Sequence, residues 1–220
     1  MKNEIDIEKM LAQADPQLGQ VIKAVQNRMG KLRSPLSNTT SFEALLRAII
    51  YQQMTGKAAA TIYKRLSSAI KKPITPAKIL ALSHDELRAF GLSNAKADYA
   101  GNLAEWFTAN AKTTKALPVM TNDDVIQTLT DIKGIGIWTA NVFLIFNLGR
   151  LDVAPISDMG LRKGAQLAYG LESLPTTDFL LEKSAAWKPY RSIASMYLWQ
   201  SGRLRLTKDD LEFENNVRNK

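Results

Sequence analysis

The sequence predicts an all-α protein organised around two helices joined by a glycine turn. Three observations carry that expectation. Helix caps, glycine stops and apolar residues at three- and four-residue spacing recur along the whole 220-residue chain. No run of alternating β-branched residues bounded by turns reads as a strand. The stretch 129–158, LTDIKGIGIWTANVFLIFNLGRLDVAPISD, reads as a helix end, a glycine turn, a second helix and a loop closing on an aspartate. Ten to twelve helices are expected, and no internal repeat is evident.

In chain order, residues 5–14 form a short candidate helix. Asp15-Pro16 pairs an N-cap with proline at the first helical position and opens a helix to about Met29. Residues 31–40 read as a loop, with Lys31 and Arg33 available to phosphate. Ser41 is expected to cap a helix over 42–53 whose apolar set is Phe42, Leu45, Leu46, Ile49 and Ile50. A sharp junction, Tyr51-Gln52-Gln53-Met54-Thr55-Gly56, leads into a helix over 58–69 that Thr55 opens. Lys71-Lys72-Pro73 breaks the chain, and Thr75-Pro76 begins a short helix to about Leu82. Ser83-His84-Asp85-Glu86 has the capping-box spacing, and Gly91 closes its helix. Ser93 starts a long helix to about Thr108, and Leu117-Pro118 is a connector. Asn122 is a plausible cap for the next helix, with Asp123 and Asp124 in the first turn, where negative charge suits the helix dipole. The turn is Ile132-Lys133-Gly134-Ile135-Gly136, plugged by its two isoleucines, and the following helix covers 138–146. A helix after Asp158 runs to Tyr169 and stops at Gly170. Thr177 is expected to cap the next, Trp187-Lys188-Pro189-Tyr190-Arg191-Ser192 follows, and an apolar helix reaches about Ser201. The charged end, from Thr207, is expected to fray.

Composition narrows the chemistry. With 45% hydrophobic and 23% charged residues, the chain can build a core. The net charge of +8 predicts attraction to a polyanion, and nucleic acid is the commonest one. The sequence contains no cysteine, which excludes disulfides, thiolate zinc sites and a cysteine-held iron–sulfur cluster. Its one histidine, His84, sits at a helix start as a solvated first-turn residue and disfavours His-based metal sites and a Ser-His-Asp triad. No stretch approaches the ~18 apolar residues that span a bilayer, so no membrane partner is expected. The first residues, Met1-Lys2-Asn3-Glu4-Ile5-Asp6, carry no apolar leader, and an intracellular protein is expected, in cytoplasm or nucleoid or in a nucleus.

The glycine turn has two readings on its own residues. Free N–H groups at the start of the second helix, with the dipole behind them, suit an anion such as a DNA phosphate. The same residues also make an ordinary connection with glycines as cap and bend. Asp158, twenty residues after Trp138, is equally a helix cap when read alone.

Taken together, Ile-Lys-Gly-Ile-Gly-Ile-Trp-Thr-Ala-Asn, a loop, and Ser-Asp before a helix resemble the helix-hairpin-helix DNA glycosylase superfamily, and within it the 3-methyladenine DNA glycosylase II branch. The likeness runs from about Phe42 to about Ser201, and includes Gly-Leu-Ser-x-x-Lys-Ala at 91–97 and the Trp-Lys-Pro-Tyr-Arg-Ser tail. It implies two helical lobes around a cleft, with the hairpin at about 122–146. Lobe one would be 42–156; lobe two would join 1–41 to 157–220, within a single unit 1–220.

The resemblance also implies roles. Asp158 would be the catalytic carboxylate, stabilising an oxocarbenium-like sugar and orienting water. Trp138 and Trp199 would line the base pocket, with Val142 and Met159 where relatives can have aromatics; on helices such aromatics are also common core residues. Gly134, Gly136 and Thr139 would contact DNA at the hairpin; Lys133 stands where relatives often have proline and is read as a phosphate contact. Gln53, with Met54 beside it, would fill the gap left by an extruded base. A monovalent cation, Na or K, can sit under the turn on the main-chain carbonyls of Thr130, Ile132 and Ile135; no other cofactor is required. Superfamily members that cut the strand carry a lysine where this chain has Trp138, so a monofunctional glycosylase is expected. Its partner would be double-stranded DNA containing alkylated bases such as 3-methyladenine or 7-methylguanine, bound by a monomer. The alternatives are a glycosylase for another lesion class, a helix-hairpin-helix protein that only binds DNA, and a structural all-α protein with a basic surface.

Overall fold

The computed structural model describes residues 6–32, 39–54 and 56–212. Ile5, Arg33, Thr55 and the tail beyond Glu212, all of which entered the sequence expectations, lie outside the described residues. Among the described residues there are fourteen α-helices and no strand. In chain order they are α1 (Ile7–Ala14), α2 (Pro16–Met29), α3 (Ser41–Tyr51), α4 (Gly56–Ile70), α5 (Pro76–Leu80), α6 (His84–Ala89), α7 (Asn94–Ala109) and α8 (Ala111–Ala116). After a 3₁₀ turn at Leu117–Val119 come α9 (Asn122–Thr130), α10 (Ile137–Phe146), α11 (Met159–Ala168), α12 (Thr177–Ala185), α13 (Arg191–Arg203) and α14 (Lys208–Glu212).

The count exceeds the expected ten to twelve because two helices carry little apolar signal. Asn110 breaks α7, its side-chain amide donating to the Trp106 carbonyl at 3.0 Å, and α8 restarts with no buried residue. α14 replaces part of the expected frayed end; Thr207 N–H donates to Asp210 at 2.7 Å, and Arg28 pairs with the same carboxylate. Three caps also sit one residue earlier than expected. Thr40, Thr121 and Thr176 cap α3, α9 and α12, while Ser41, Asn122 and Thr177 join the first turns. In each pair the earlier hydroxyl reaches the amide three residues on, the geometry an N-cap requires. Asp15, Thr75, Ser83, Ser93 and Asp158 cap as expected.

The chain divides into two compact units, Leu36–Gly149 on one hand and Met1–Pro35 with Arg150–Lys220 on the other. Both junctions come a few residues before those expected at 42 and 156. In the unit 36–149, α3 is the central helix. Phe42, Leu45, Leu46, Ile49 and Ile50 are buried, and α3 packs against α4, α7 and α10. Alanines 97, 100 and 104 leave α7 slim enough for close packing, and Phe107 meets Phe42 edge to face at 5.4 Å.

In the other unit, α13 packs against α11 and α2. Its buried Ser195 and Ser201 return their hydroxyl protons to the Arg191 and Leu198 carbonyls, so a helix buried nearly all round leaves no polar group unmet. A buried carboxylate organises the rest. Asp15 accepts from Leu18 N–H at 3.0 Å, from the fully buried Trp187 indole at 2.8 Å, and from the Tyr169 hydroxyl. Burial and the neighbouring Asp15 push the Tyr169 phenol well above the usual tyrosine range.

Candidate active site and nucleic-acid interface

The hairpin is built from α9, the turn 131–136 and α10. Ile132 and Ile135 are buried beneath the turn as expected, and Ile135 N–H donates to the Ile132 carbonyl at 2.9 Å. Gly134 adopts φ +105°, a conformation open to glycine and strained for other residues. It also abuts Tyr99 of α7: a Cβ there would lie 2.3 Å from the ring's Cγ. The surface that demands a glycine at 134 is therefore the protein's own. Gly136 differs, since a Cβ would meet no atom within 4 Å. It caps α10 with no side-chain hydrogen bond, so the N–H groups of Ile137, Trp138 and Thr139 begin the helix without a side-chain cap. Lys133 is exposed beside them.

The Thr139 side chain faces the protein interior. Its side chain is 2% exposed, and its hydroxyl accepts from Gln52 Nε2 at 3.0 Å. The β-branched side chain turns inward at the third helical position; only its backbone N–H remains at the helix start. Gln52 Nε2 also donates to the Gly134 carbonyl at 3.0 Å. Gln53, next in the chain, is exposed at φ +52°, and Met54 is 37% exposed. Lys96, from the Gly-Leu-Ser-x-x-Lys-Ala stretch, closes the end of α3. Its ammonium donates to the Ile50 and Gln52 carbonyls, both at 2.7 Å, and burial lowers its pKa.

Trp138 and Val142 are half-buried one helical turn apart on α10. Asp158, Met159 and Trp199 belong to the other unit. There the side chains of Asp158 and Trp199 meet. Asp158 Oδ1 accepts from the indole N–H of Trp199 at 2.6 Å and from Leu161 N–H at 2.6 Å. Met159 is 49% exposed next to them. The contact depends on small neighbours. A Cβ on Gly160 would come within 3.0 Å of Asp158 Oδ1 and 3.1 Å of Trp199 Cδ1, and one on Gly164 within 2.3 Å of the Leu198 carbonyl oxygen. Gly164 thus lets α11 and α13 approach backbone to backbone, which brings Trp199 within reach of the carboxylate.

The loop leading to Asp158 is clamped by the start of α13. Ser192 N–H donates to the Leu151 carbonyl at 2.9 Å, its hydroxyl accepts from Val153 N–H at 3.0 Å, and it donates to the Arg150 carbonyl at 2.7 Å. Arg191 holds Asp152 through two nitrogens, at 2.6 and 3.0 Å. That guanidinium keeps the Asp152 carboxyl below its ordinary range. A carboxylate with a depressed folded pKa stabilises the fold above its unfolded value of about 3.9 and loses that contribution as pH falls through the folded pKa. Arg191→Gln is therefore expected to narrow the stability gap between pH 7 and pH 3 in thermal melts; an unchanged gap would show the clamp to be energetically neutral. Lys31, available to phosphate in the sequence reading, pairs with Glu8 at 2.9 Å and Asp6 at 3.5 Å.

The sequence pattern of the HhH-GPD superfamily of base excision DNA repair proteins matches residues 46–189. The chain belongs to the HhH-GPD superfamily. It is 36% identical over 166 residues to DNA-3-methyladenine glycosylase 1 of Schizosaccharomyces pombe, covering 74% of this chain and 73% of that protein. The structure of the S. pombe 3-methyladenine DNA glycosylase in complex with abasic DNA matches with a TM-score of 0.80 and 30% identity, over 90% of this chain and 97% of that one. A DNA-3-methyladenine glycosidase from Bacillus halodurans matches with a TM-score of 0.79 and 30% identity, over 97% of each chain. In the superfamily frame, residues 122–146 are the helix-hairpin-helix, and Asp158 follows it at the N-terminus of α11.

Sequence reasoning missed Gln52, Lys96 and Gly160 as parts of these sites. Gln52 looks like a polar residue on a helix corner, and its partners lie more than eighty positions away. Lys96 had a signal, its place in a motif, but no visible partner, because its acceptors are backbone carbonyls. Among the described residues no group of three or more His, Cys, Asp or Glu could hold a metal ion, and no helix is long and apolar enough to cross a membrane.

Proposed function

We propose that this protein is a monofunctional DNA glycosylase that hydrolyses the N-glycosidic bond of alkylated bases, such as 3-methyladenine and 7-methylguanine, in double-stranded DNA. The observation that carries the reading is Asp158 at the N-terminus of α11, its Oδ1 engaged by Leu161 N–H and the Trp199 indole. Membership of a base excision repair superfamily and the names of its 3-methyladenine-releasing relatives support it.

The chemistry follows from charge. A base alkylated on a ring nitrogen is cationic and leaves readily as a neutral molecule. As the bond from C1′ breaks, positive charge moves onto the sugar, and the negative Asp158 stabilises it. The helix dipole favours negative charge at that position, and the two donated hydrogen bonds hold the carboxylate in place. Water adds at C1′ and releases a proton, which Asp158 can accept or pass to solvent. Trp199, joined to the carboxylate through its N–H, offers a ring face to a cationic base, an attraction of about 0.5–2 kcal/mol; Met159 is its neighbour. The target base must leave the duplex to be reached, and Gln53 with Met54 fills the gap.

The hairpin grips a phosphate through the N–H groups at the start of α10, with Lys133 alongside and Gly136 leaving the approach open. A monovalent cation such as Na or K would be held under the turn by the main-chain carbonyls of Thr130, Ile132 and Ile135, where it would add positive charge beside the phosphate. A single chain is enough for the reaction, and it takes place wherever the cell keeps its DNA.

The test is incubation with base-methylated duplex DNA, following release of free 3-methyladenine and 7-methylguanine. Release by the wild type, with strand breaks only after alkali, is the expected result; no release with salt-sensitive binding intact would sink the substrate assignment. Trp138 supplies no amine, so borohydride should trap no covalent protein–DNA adduct. A trapped adduct on denaturing gels would overturn the monofunctional reading.

A further inference from the structure

We propose that Gln52 is a positioning residue that couples the phosphate-gripping hairpin to the duplex-filling corner at Gln53–Met54. The proposal rests on the reading of the protein as a base-extruding glycosylase and deepens it.

The geometry lies wholly within the unit 36–149. The Gly134 carbonyl can only accept, so the amide nitrogen of Gln52 must face it, and the same nitrogen reaches the Thr139 hydroxyl, each at 3.0 Å. One side chain therefore bridges the hairpin turn and the first turn of α10, the two pieces that shape the phosphate grip. The partners are well held. Thr139 is 2% exposed, and Gly134 is fixed against Tyr99. The Gln52 backbone is held as well: its carbonyl, with that of Ile50, takes the Lys96 ammonium at 2.7 Å. The chain then turns at Gln53, φ +52°, and presents Gln53 and Met54 to solvent.

A tip that follows directly from a residue anchored on three sides cannot move independently of the hairpin. Gripping the strand thus sets where the tip enters the stack. A polar residue used only to satisfy a helix end would not need to bond across to the hairpin, because Lys96 already serves the α3 carbonyls.

Gln52→Leu keeps a side chain of similar bulk, one atom shorter, and removes both donated hydrogen bonds. Duplex affinity should stay within about threefold, since the phosphate-facing N–H groups at the start of α10 and Lys133 remain and Tyr99 still backs Gly134. Single-turnover base release from a matched duplex should fall about 10²-fold, the scale of an ångström-sized misplacement. The defect should shrink to within about tenfold when the lesion faces an abasic site, where unpairing is already done. Thr139→Val should give a weaker form of the same pattern, and Thr139→Ser should restore it. Each variant should be checked for folding by its thermal melt, with a transition close to that of the wild type expected.

A second readout does not depend on chemistry: the emission of 2-aminopurine next to the target position, which rises when the base unstacks. Wild type should raise it and Gln52→Leu should not. Equal emission from the two proteins, an equal loss on matched and abasic-opposed substrates, or a parallel fall in affinity would overturn the coupling. Wild-type emission without release of alkylated bases would leave the coupling standing and remove the substrate reading instead.

Discussion

Asp158→Asn is expected to lower the rate of 3-methyladenine release by about 10²–10⁴-fold, the range over which a positioned ionisable group acts in catalysis. The substitution isolates charge. An asparagine oxygen can still accept from Leu161 N–H and Trp199 Nε1, which meet Oδ1 in the wild type. Asparagine is as good an N-cap as aspartate, so the melting temperature should hardly move. DNA affinity should be unchanged or slightly higher, because one negative charge has left a surface that meets a polyanion. Asp158→Ala would lose the same activity and also the cap, at about 0.5–2 kcal/mol of stability. A variant asparagine enzyme retaining more than about a tenth of the wild-type rate would show that leaving-group lability and binding alone drive the reaction. Trp199→Phe should cost less than either: the ring stays and the N–H to the carboxylate goes, which leaves Oδ1 held by Leu161 N–H alone.

The helices were legible in the sequence because their signals are local. The capping box at Ser83, the Asp15-Pro16 start and the glycine stops at 91 and 170 depend on residues within one turn of each other. The three displaced caps show the limit of that legibility: two adjacent cap-forming residues are equivalent in sequence until the φ and ψ of each are known. α8 and α14 escaped because short polar helices carry no apolar stripe.

The candidate sites divide along the same line. The hairpin and Asp158 were found as contiguous motifs. Thr139 was read as a DNA contact from its place in the motif, yet its side chain is buried against Gln52, and sequence spacing does not encode which way a first-turn side chain faces. The Trp199–Asp158 hydrogen bond joins residues 41 apart, and it exists because Gly160 and Gly164 allow α11 and α13 to meet closely. The two glycines are unremarkable in sequence; only the packing shows what a methyl group would strike.

The two hairpin glycines should separate when each is replaced by alanine. Gly134→Ala meets two obstacles. Its φ of +105° strains an L-residue by about 1–3 kcal/mol, and its new Cβ would lie 2.3 Å from the Tyr99 ring, an overpacking worth about another 1–3 kcal/mol. For a chain of this size each kcal/mol lowers the melting temperature by about 2–4 °C. The hairpin should also shift, so duplex affinity falls with stability. Tyr99→Ala in the same background should recover the crowding part and leave the backbone part, which makes the double variant a measure of each. Gly136→Ala is the counterpoint. Its φ is −99° and no atom lies within 4 Å of the added methyl, so folding should be untouched. If the start of α10 grips a phosphate, that methyl stands in the approach, and duplex affinity should still drop. A Gly136→Ala protein with wild-type melting and wild-type affinity would move the DNA contact away from the helix start, whereas intact melting with weakened binding assigns Gly134 to the fold and Gly136 to the strand it holds.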